Sequence, residues 1–314
     1  MIIVSGGAGF IGSNVVHALN DRGIDDIVVV DDLTDGHKYA NIAGARIADY
    51  LDVEEFRAWF RENRPPPDPI ERIYHLGACS TTTEWNGRLM MDLNFAYSRD
   101  LLRWSVNHSI PVVYASSAAI YGGATAFTET ADNEKPLNVY GYSKCLLDRF
   151  VQTELSPSGS QIVGLRYFNV YGPREQHKAS MASVAFHFNR QLIDNGRVRL
   201  FQGSHGYADG EQRRDFIYVD DVVDVTLWFA EHPEVSGVFN CGTGNAQTFN
   251  DVAAAVVNWH GRGELEYIPF PSELEAAYQS YTQADIGRLR RAGYDRPFKA
   301  VDVGVHQYLD WLND

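Results

Sequence analysis

A tyrosine and a lysine four positions apart carry the strongest chemical signal in the chain, in the run Tyr140-Gly141-Tyr142-Ser143-Lys144. On a helix, residues at this spacing share a face one turn apart. A phenol with an ordinary pKa of ~10 is a poor base at neutral pH, but a neighbouring ammonium stabilises the phenolate and draws that value down. Tyr142 is a rival, yet it stands only two residues from Lys144 and faces away. Ser117, in Ser116-Ser117-Ala118-Ala119-Ile120-Tyr121-Gly122, follows an apolar run, so it falls at the end of a strand, where α/β proteins place their sites. Its hydroxyl could donate to, or accept from, the substrate hydroxyl that Tyr140 deprotonates.

A third signal lies at the start of the chain. Gly6-Gly7-Ala8-Gly9-Phe10-Ile11-Gly12 spaces its glycines as G-x-x-G-x-x-G between a predicted strand and a predicted helix. Gly6 permits a tight turn, Gly9 lets backbone approach a pyrophosphate, and Gly12 allows helix and strand to pack closely. The helix N-terminus then presents free N–H groups and a positive dipole end to the phosphates. Asp31 ends the next strand, 31 − 12 = 19 residues further on, where a ribose-binding acid belongs. That acid favours NAD, because a 2′-phosphate would be repelled unless a cation lay close. Asp32 adds negative charge, and Lys38 and Arg46 are the nearest candidate cations.

Positioning these groups takes alternating strands and helices. Ile2–Ser5, Ile27–Asp31, Ile73–Ala78, Pro111–Ser116 and Gln161–Arg166 read as buried strands, with helices over 12–21 and 139–155. The proline-rich stretch Arg64–Pro69 is a stiff loop. After Val170 the pattern loosens. Ser204–Arg213 reads as a loop, whereas Phe216–Val219 and Val238–Cys241 read as strands and Asp221–Glu231 and Phe249–His260 as helices. The expected architecture is α/β: a Rossmann-type doubly wound parallel sheet with a smaller, interleaved α/β substrate-binding lobe. Residues 1–170 with about 214–243 would form the dinucleotide-binding domain. Residues 171–213 with 244–314 would form the lobe.

Composition narrows the classes. Of 314 residues, 45% are hydrophobic and 22% charged, which is globular rather than disordered. A net charge of −14 argues against a sequence-blind grip on nucleic acid. No apolar run approaches the ~20 residues of a membrane helix, and Met1-Ile2-Ile3-Val4 lacks the basic start of a secretory signal, so a cytoplasmic protein is expected. Cys79, Cys145 and Cys241 are odd in number and far apart, which fits neither a disulfide framework nor a metal-ligand cluster. His177 and His187 have nothing nearby to complete a ligand set. No metal is expected.

The glycine loop, Ser117 and Tyr140-x-x-x-Lys144, in this order, resemble the extended short-chain dehydrogenase/reductase family of nucleotide-sugar epimerases and dehydratases. Arg166-Tyr-Phe-Asn169-Val170-Tyr-Gly172-Pro173 and Arg214-Asp-Phe-Ile-Tyr-Val-Asp-Asp221-Val222 extend the resemblance almost end to end. Dehydratases of the family carry an acidic pair just after the serine; Ala118 and Ala119 stand there, which disfavours dehydration. The runs Gly77–Trp85, Lys135–Lys144, His177–His187 and Phe270-Pro271 look like the branch that inverts C6″ of an ADP-heptose for lipopolysaccharide inner-core biosynthesis. A UDP-hexose 4-epimerase of the same fold is the alternative. A dinucleotide-binding scaffold without catalysis would typically lack the Tyr or the Lys, and this chain has both.

The resemblance implies an isomerase with tightly held NADP. Hydride would leave C6″ and return to the opposite face of a 6-keto intermediate. Tyr140 would be one acid/base, supported by Ser117 and Lys144, and Lys178 the second. Phe10, Ile11, Asp31, Asp32, Lys38, Leu76, Gly77, Ala78, Cys79, Ser80, Asn94, Lys144, Val170 and Lys178 would contact the cofactor. Asn169, Ser180, His187, Phe201, Gln202, Gly203, Ser204, Arg214 and Tyr278 would hold the ADP-sugar. A homo-oligomer, a pentamer, is implied as well. Two features depart from the branch. It tends to carry Asn in place of Asp32 and Lys in place of Val53, and both would favour a 2′-phosphate, so NAD stays open beside NADP although Lys38 is retained. The Ser204–Arg213 loop is also longer than expected.

Overall fold

The computed structural model describes residues 1–155, 159–271 and 278–314. By contacts the chain divides into two units, Met1–Tyr167 with Val223–Asn240, and Phe168–Val222 with Cys241–Asp314. Among the described residues no helix is long and apolar enough to cross a membrane.

The first unit is built on strands β1 (Ile2–Ser5), β2 (Ile27–Asp31), β3 (Asp49–Asp52), β4 (Arg72–His75), β5 (Val112–Ser117) and β6 (Ile162–Tyr167). With β11 (Gly237–Cys241) they form one seven-stranded sheet in the order β11-β6-β5-β4-β1-β2-β3. The pairs β1–β2, β1–β4, β2–β3, β4–β5 and β5–β6 are all parallel. Every residue of β1, β2 and β4 is buried, as befits strands covered on both faces, and the apolar runs Ile2–Val4 and Ile27–Val30 reflect it. Helices α1 (Phe10–Asp21), α2 (Val53–Arg61), α4 (Tyr97–Asn107), α5 (Val139–Phe150) and α7 (Val219–Glu231) alternate with the strands, and the short α3 (Gly87–Met90) leads through a π-helical turn, Met91–Ala96, into α4. Ile3, Val28, Val30, Ile73, Val112 and Tyr114 from the sheet pack with Phe56, Leu101, Trp104, Leu147 and Phe150 from the helices. Strand order reverses between β1 and β4, so a crevice opens at the carboxyl ends of these strands.

In the second unit, β7 (Asn169–Tyr171) pairs in parallel with β10 (Phe216–Tyr218), β8 (Arg197–Phe201) with β13 (Glu264–Ile268), and β9 (Arg213–Arg214) runs antiparallel to β12 (Gln247–Thr248). Helices α6 (Val184–Asn195), α8 (Phe249–His260) and α10 (Val301–Asn313) supply Phe188, Leu192, Val252, Val256, Val305 and Tyr308 to its core. The short α9 spans Gly287–Arg291.

The Rossmann-type sheet is as expected, and the differences are local. The first helix begins at Phe10 rather than Gly12. The helix expected over 139–155 is α-helical to Phe150 and π-helical over Val151–Leu155. The strand expected to reach Ala78 stops at His75. Beyond it the backbone is drawn off the ladder: Leu76 N–H still donates to Ser5 O at 2.8 Å, but Gly77 lies against Gly6, and Cys79 is held by Asn94.

Candidate active site

The glycine loop makes the first part of the site. Gly6 has φ +72°, and a Cβ placed there would stand 2.5 Å from Gly77 N. A Cβ on Gly12 would run into the Gly6 carbonyl oxygen. Both positions therefore need glycine for the close approach of turn, helix and neighbouring strand. Gly9 stands at the N-cap of α1 and no side chain caps the helix, so its first-turn N–H groups are left for a ligand. That suits the diphosphate of a dinucleotide.

Asp31 at the end of β2 is almost fully buried, and it ties the loop down. Its Oδ2 accepts the Ala8 N–H at 2.8 Å, and its Oδ1 accepts the Asp32 N–H at 2.8 Å and Lys38 Nζ at 2.7 Å. Lys38 is thus the cation beside Asp31. Arg46, the other candidate, is spent elsewhere, on Asp25 at 3.0 Å and on Asn20 O at 2.7 Å. Side-chain and backbone hydrogen bonds from Thr34, aided by the charge of Lys38, hold Asp32 below the usual carboxylate range. The ribose corner therefore carries two carboxylates and one ammonium.

The loop Leu76–Ser80 is fixed from the π-helical turn. Asn94 is fully buried there; its Oδ1 accepts the Cys79 N–H at 2.8 Å and its Nδ2 donates to Cys79 O at 3.0 Å. The same Nδ2 lies 3.3 Å from Ser143 Oγ, which donates to Tyr140 O at 2.6 Å. Asn94, expected to touch cofactor, is committed to joining the loop to the helix that carries Tyr140. Insertion of a π turn, which shifts side chains out of α register, is a common device at functional sites. His75, absent from the sequence reading, is locked between Ser5 Oγ at 2.6 Å and Ser98 Oγ at 2.8 Å. Burial, with the nearby Lys144, pushes it down to about 3, so it stays neutral.

Ser117, Tyr140 and Lys144 come together at the end of β5 and the start of α5. Asn138 caps α5 by accepting the Gly141 N–H at 2.8 Å, which sets where the helix begins and hence the phase of Tyr140 and Lys144. Burial raises the Tyr140 phenol above its ordinary value, against a hydrogen bond with Ser117 that lowers it, while Cys79 adds to the rise. The lowering expected from Lys144 gives way for a physical reason. Its ammonium is turned to Ala115 O at 2.8 Å, and burial draws Lys144 itself from 10.5 to about 8.

That fall has a consequence for stability. From 10.5 to about 8 it corresponds to ~3 kcal/mol spent on keeping the ammonium in the fold at neutral pH. Between pH 8 and 10.5 the folded chain holds fewer protons at this site than the unfolded one, so stability rises with pH across that window. We expect Lys144→Met to be more stable than the parent by ~2 kcal/mol at pH 7, after the loss of the bond to Ala115. The advantage should shrink as pH climbs above 8. Urea denaturation of both proteins over pH 7–10 measures it; a pH-independent difference would contradict the account.

The expected sugar-nucleotide residues lie in the second unit. Arg214 is buried, its guanidinium 4.9 Å from the Tyr278 ring centre and 5.7 Å from that of Phe249, with Nη1 donating to Arg213 O at 2.9 Å. Burial lowers its pKa. A cation held by rings and one carbonyl is well matched to a diphosphate. Phe270 links the group, 5.4 Å from Phe201 and 4.9 Å from Tyr278. Gln212 Nε2 donates to Gln202 O and lies 3.1 Å from Ser204 Oγ, while Gly203 N–H donates to Asp209 at 2.7 Å. A cavity of about 820 Å³ is bordered by Gln202, Gly203, Ser204, Tyr207, Asp209 and Tyr267. Asn169 is exposed, and its N–H donates to Asp215 O at 3.0 Å; Val170 follows in β7.

Lys178 and Ser180 sit on a different segment, the tight turns Gln176–Met181, and His187 is in the first turns of α6. Ala179 is strained there, with φ 48° and ψ −118°. Glu175 anchors the segment: fully buried, it accepts the Ser183 N–H and hydroxyl, each at 2.6 Å, and the Gly172 N–H at 3.3 Å. Nothing in the local pattern of the sequence distinguishes Glu175 from a solvated glutamate.

The chain is similar to known proteins over its whole length. Residues 2–242 match the model of the NAD dependent epimerase/dehydratase family. ADP-L-glycero-D-manno-heptose-6-epimerase of Alkalilimnicola ehrlichii is 58% identical over 314 residues, covering 100% of this chain and 98% of that protein. Among solved structures, the Helicobacter pylori ADP-L-glycero-D-manno-heptose-6-epimerase has a TM-score of 0.84 at 30% identity, covering 99% of this chain and 96% of the other. The Thermus thermophilus UDP-glucose 4-epimerase complex with NAD has a TM-score of 0.78 at 26% identity, covering 99% and 98%. The resemblance read from the glycine loop, Ser117 and Tyr140-x-x-x-Lys144 holds, and the chain belongs to the NAD dependent epimerase/dehydratase family.

Proposed function

We propose that this chain is an isomerase that converts ADP-D-glycero-D-manno-heptose into ADP-L-glycero-D-manno-heptose by inverting C6″, in the service of lipopolysaccharide inner-core biosynthesis. The substrate rests on one observation, the 58% identity over the full chain to an enzyme of that name. The first unit serves as the dinucleotide-binding domain and the second as the substrate-binding lobe.

A nicotinamide cofactor, when bound, accepts the C6″ hydrogen as hydride and gives it back. Gly6, Gly9 and Gly12 with the open N-terminus of α1 would hold its diphosphate, and Asp31 and Lys38 its adenosine ribose. We favour NADP, because Lys38 is already drawn to this corner; Asp32 and the valine at position 53 weigh towards NAD. Tyr140 takes the proton from the 6″-hydroxyl as the carbon is oxidised, with Ser117 orienting that hydroxyl and Lys144 supplying positive charge. The oxidised carbon lies outside the sugar ring, so turning about one single bond presents its other face. The oxygen then points away from Tyr140, and Lys178 acts as the second acid/base. Arg214 holds the diphosphate of the ADP-sugar. Working as a homo-oligomer, a pentamer in the family's manner, belongs to the same reading.

Turnover in D₂O tests it. The protein should epimerise ADP-D-glycero-D-manno-heptose and leave UDP-hexoses unchanged, with no solvent deuterium at C6″, because the hydrogen never leaves as a proton. NADP should be recovered from the denatured protein. Stoichiometric label at C6″ would sink the hydride chemistry, and preferential turnover of UDP-glucose would sink the substrate.

A further inference from the structure

We propose that Asp148 is a positioning residue for this reaction: it bolts the helix carrying Tyr140 and Lys144 to the strand ending in Ser117, and it stands as a negative charge one helical turn from Lys144. The inference rests on Tyr140, Lys144 and Ser117 being the acid/base group proposed above.

Tyr140, Lys144 and Asp148 follow one another at four-residue steps along α5, so they share a face. Two of them grip three consecutive residues of β5. Lys144 Nζ donates to Ala115 O at 2.8 Å. Asp148 takes the residues on either side: Oδ1 accepts the Tyr114 hydroxyl at 3.0 Å and Oδ2 accepts the Ser116 hydroxyl at 2.8 Å. Tyr114 and Ser116 point to one face of the strand because side chains alternate there. Ser117 is the next residue, so this grip fixes its height against Tyr140.

Arg166, fully buried on β6, keeps Asp148 in place through Nε at 2.8 Å and reaches Glu134 with its other arm at 2.6 Å. Glu134 in turn accepts Arg149 Nε at 2.8 Å. Stability alone does not explain such a network, because buried ion pairs can often be replaced by apolar residues without loss. It reaches the site through Ser116, which precedes Ser117, and through the charge of Asp148 on Lys144. The groups that face Lys144 are Asp148 on its own helix, Cys79 on the loop after β4, and His75 on β4, which is neutral. Burial pushes Asp148 up, while Arg166, Ser116 and Tyr114 hold it back; its charge opposes the burial that pulls Lys144 down.

The test compares kcat across pH 6–9 for the cofactor-loaded parent, Asp148→Asn and Ser116→Ala, with Tyr140→Phe alongside. In Asp148→Asn the loss of rate at high pH should set in about one pH unit lower, giving about fivefold less activity at pH 8 that is largely regained at pH 6.5, with KM changed less than about twofold. Ser116→Ala weakens the grip and leaves the charge, so kcat should fall about fivefold with an unmoved pH profile. An unmoved profile in Asp148→Asn, or an unchanged kcat in Ser116→Ala, overturns the proposal. Should Asp148→Asn not retain cofactor, Ser116→Ala decides. Full activity in Tyr140→Phe would mean that the acid/base reading itself had failed; an inactive Tyr140→Phe beside an unshifted Asp148→Asn would mean that only this inference had.

Discussion

Tyr140→Phe is expected to lower epimerisation by ~10²–10⁴-fold while the cofactor stays bound. The change deletes one oxygen and keeps the ring, and the ring's setting on α5 does not depend on the hydroxyl. The Asn138 cap, the Ser143 bond to Tyr140 O and the Lys144 bond to Ala115 all run through other atoms. What is lost is the group that exchanges a proton with the substrate oxygen, together with its hydrogen bond to Ser117. Burial raises that phenol above its ordinary value in the free protein, so its taking the substrate proton depends on the positive charge that Lys144 supplies. Turnover and the nucleotide retained through gel filtration give the two readouts. Near-normal turnover would remove Tyr140 from the chemistry; loss of cofactor as well would make its role a packing one.

Parts of the site that depend on short-range geometry were legible in the sequence. A turn whose every third residue must be glycine declares itself, since a Cβ on Gly6 or Gly12 would meet backbone. Tyr140 and Lys144 are related by helical pitch, and the buried strands announce themselves as apolar runs. Contacts made across long stretches of chain were not legible. Asn94 reaches Cys79 and Ser143 from the π turn, His75 bridges Ser5 and Ser98, and Asp148 meets Arg166 from the next strand, none of which leaves a local pattern. The truncated β4 follows from the same cause: Leu76–Ala78 are apolar or small enough for a strand, but Gly6 and Asn94 claim the backbone there. Electrostatic detail was hidden too. Helical pitch sets Lys144 one turn from Tyr140 on α5, yet burial rather than pitch decides how readily that lysine gives up its proton.

Lys178→Met should suppress net epimerisation by ~10²-fold or more and spare redox exchange on the Tyr140 side, if Lys178 is the second acid/base. A lysine can serve as such only when its pKa is drawn down towards neutrality. Burial does lower it, while the neighbouring carboxylate of Glu175 pulls the other way. Burial is the largest cause of that lowering. Position is controlled as well. Glu175 joins Gly172 to Ser183 across the segment, and the backbone strain at Ala179 persists because both ends are held. The discriminating assay is dismutation of a truncated C6″ aldehyde analogue, in which one molecule is oxidised as another is reduced. Two bases predict that Tyr140→Phe and Lys178→Met each keep part of this one-sided chemistry, and that the double variant loses far more than either. Methionine preserves most of the side-chain volume, so a fall in net epimerisation with dismutation retained reports the missing ammonium rather than a collapsed loop. Undiminished epimerisation by Lys178→Met would return the residue to the role of a loop lysine and leave Tyr140 to serve both faces.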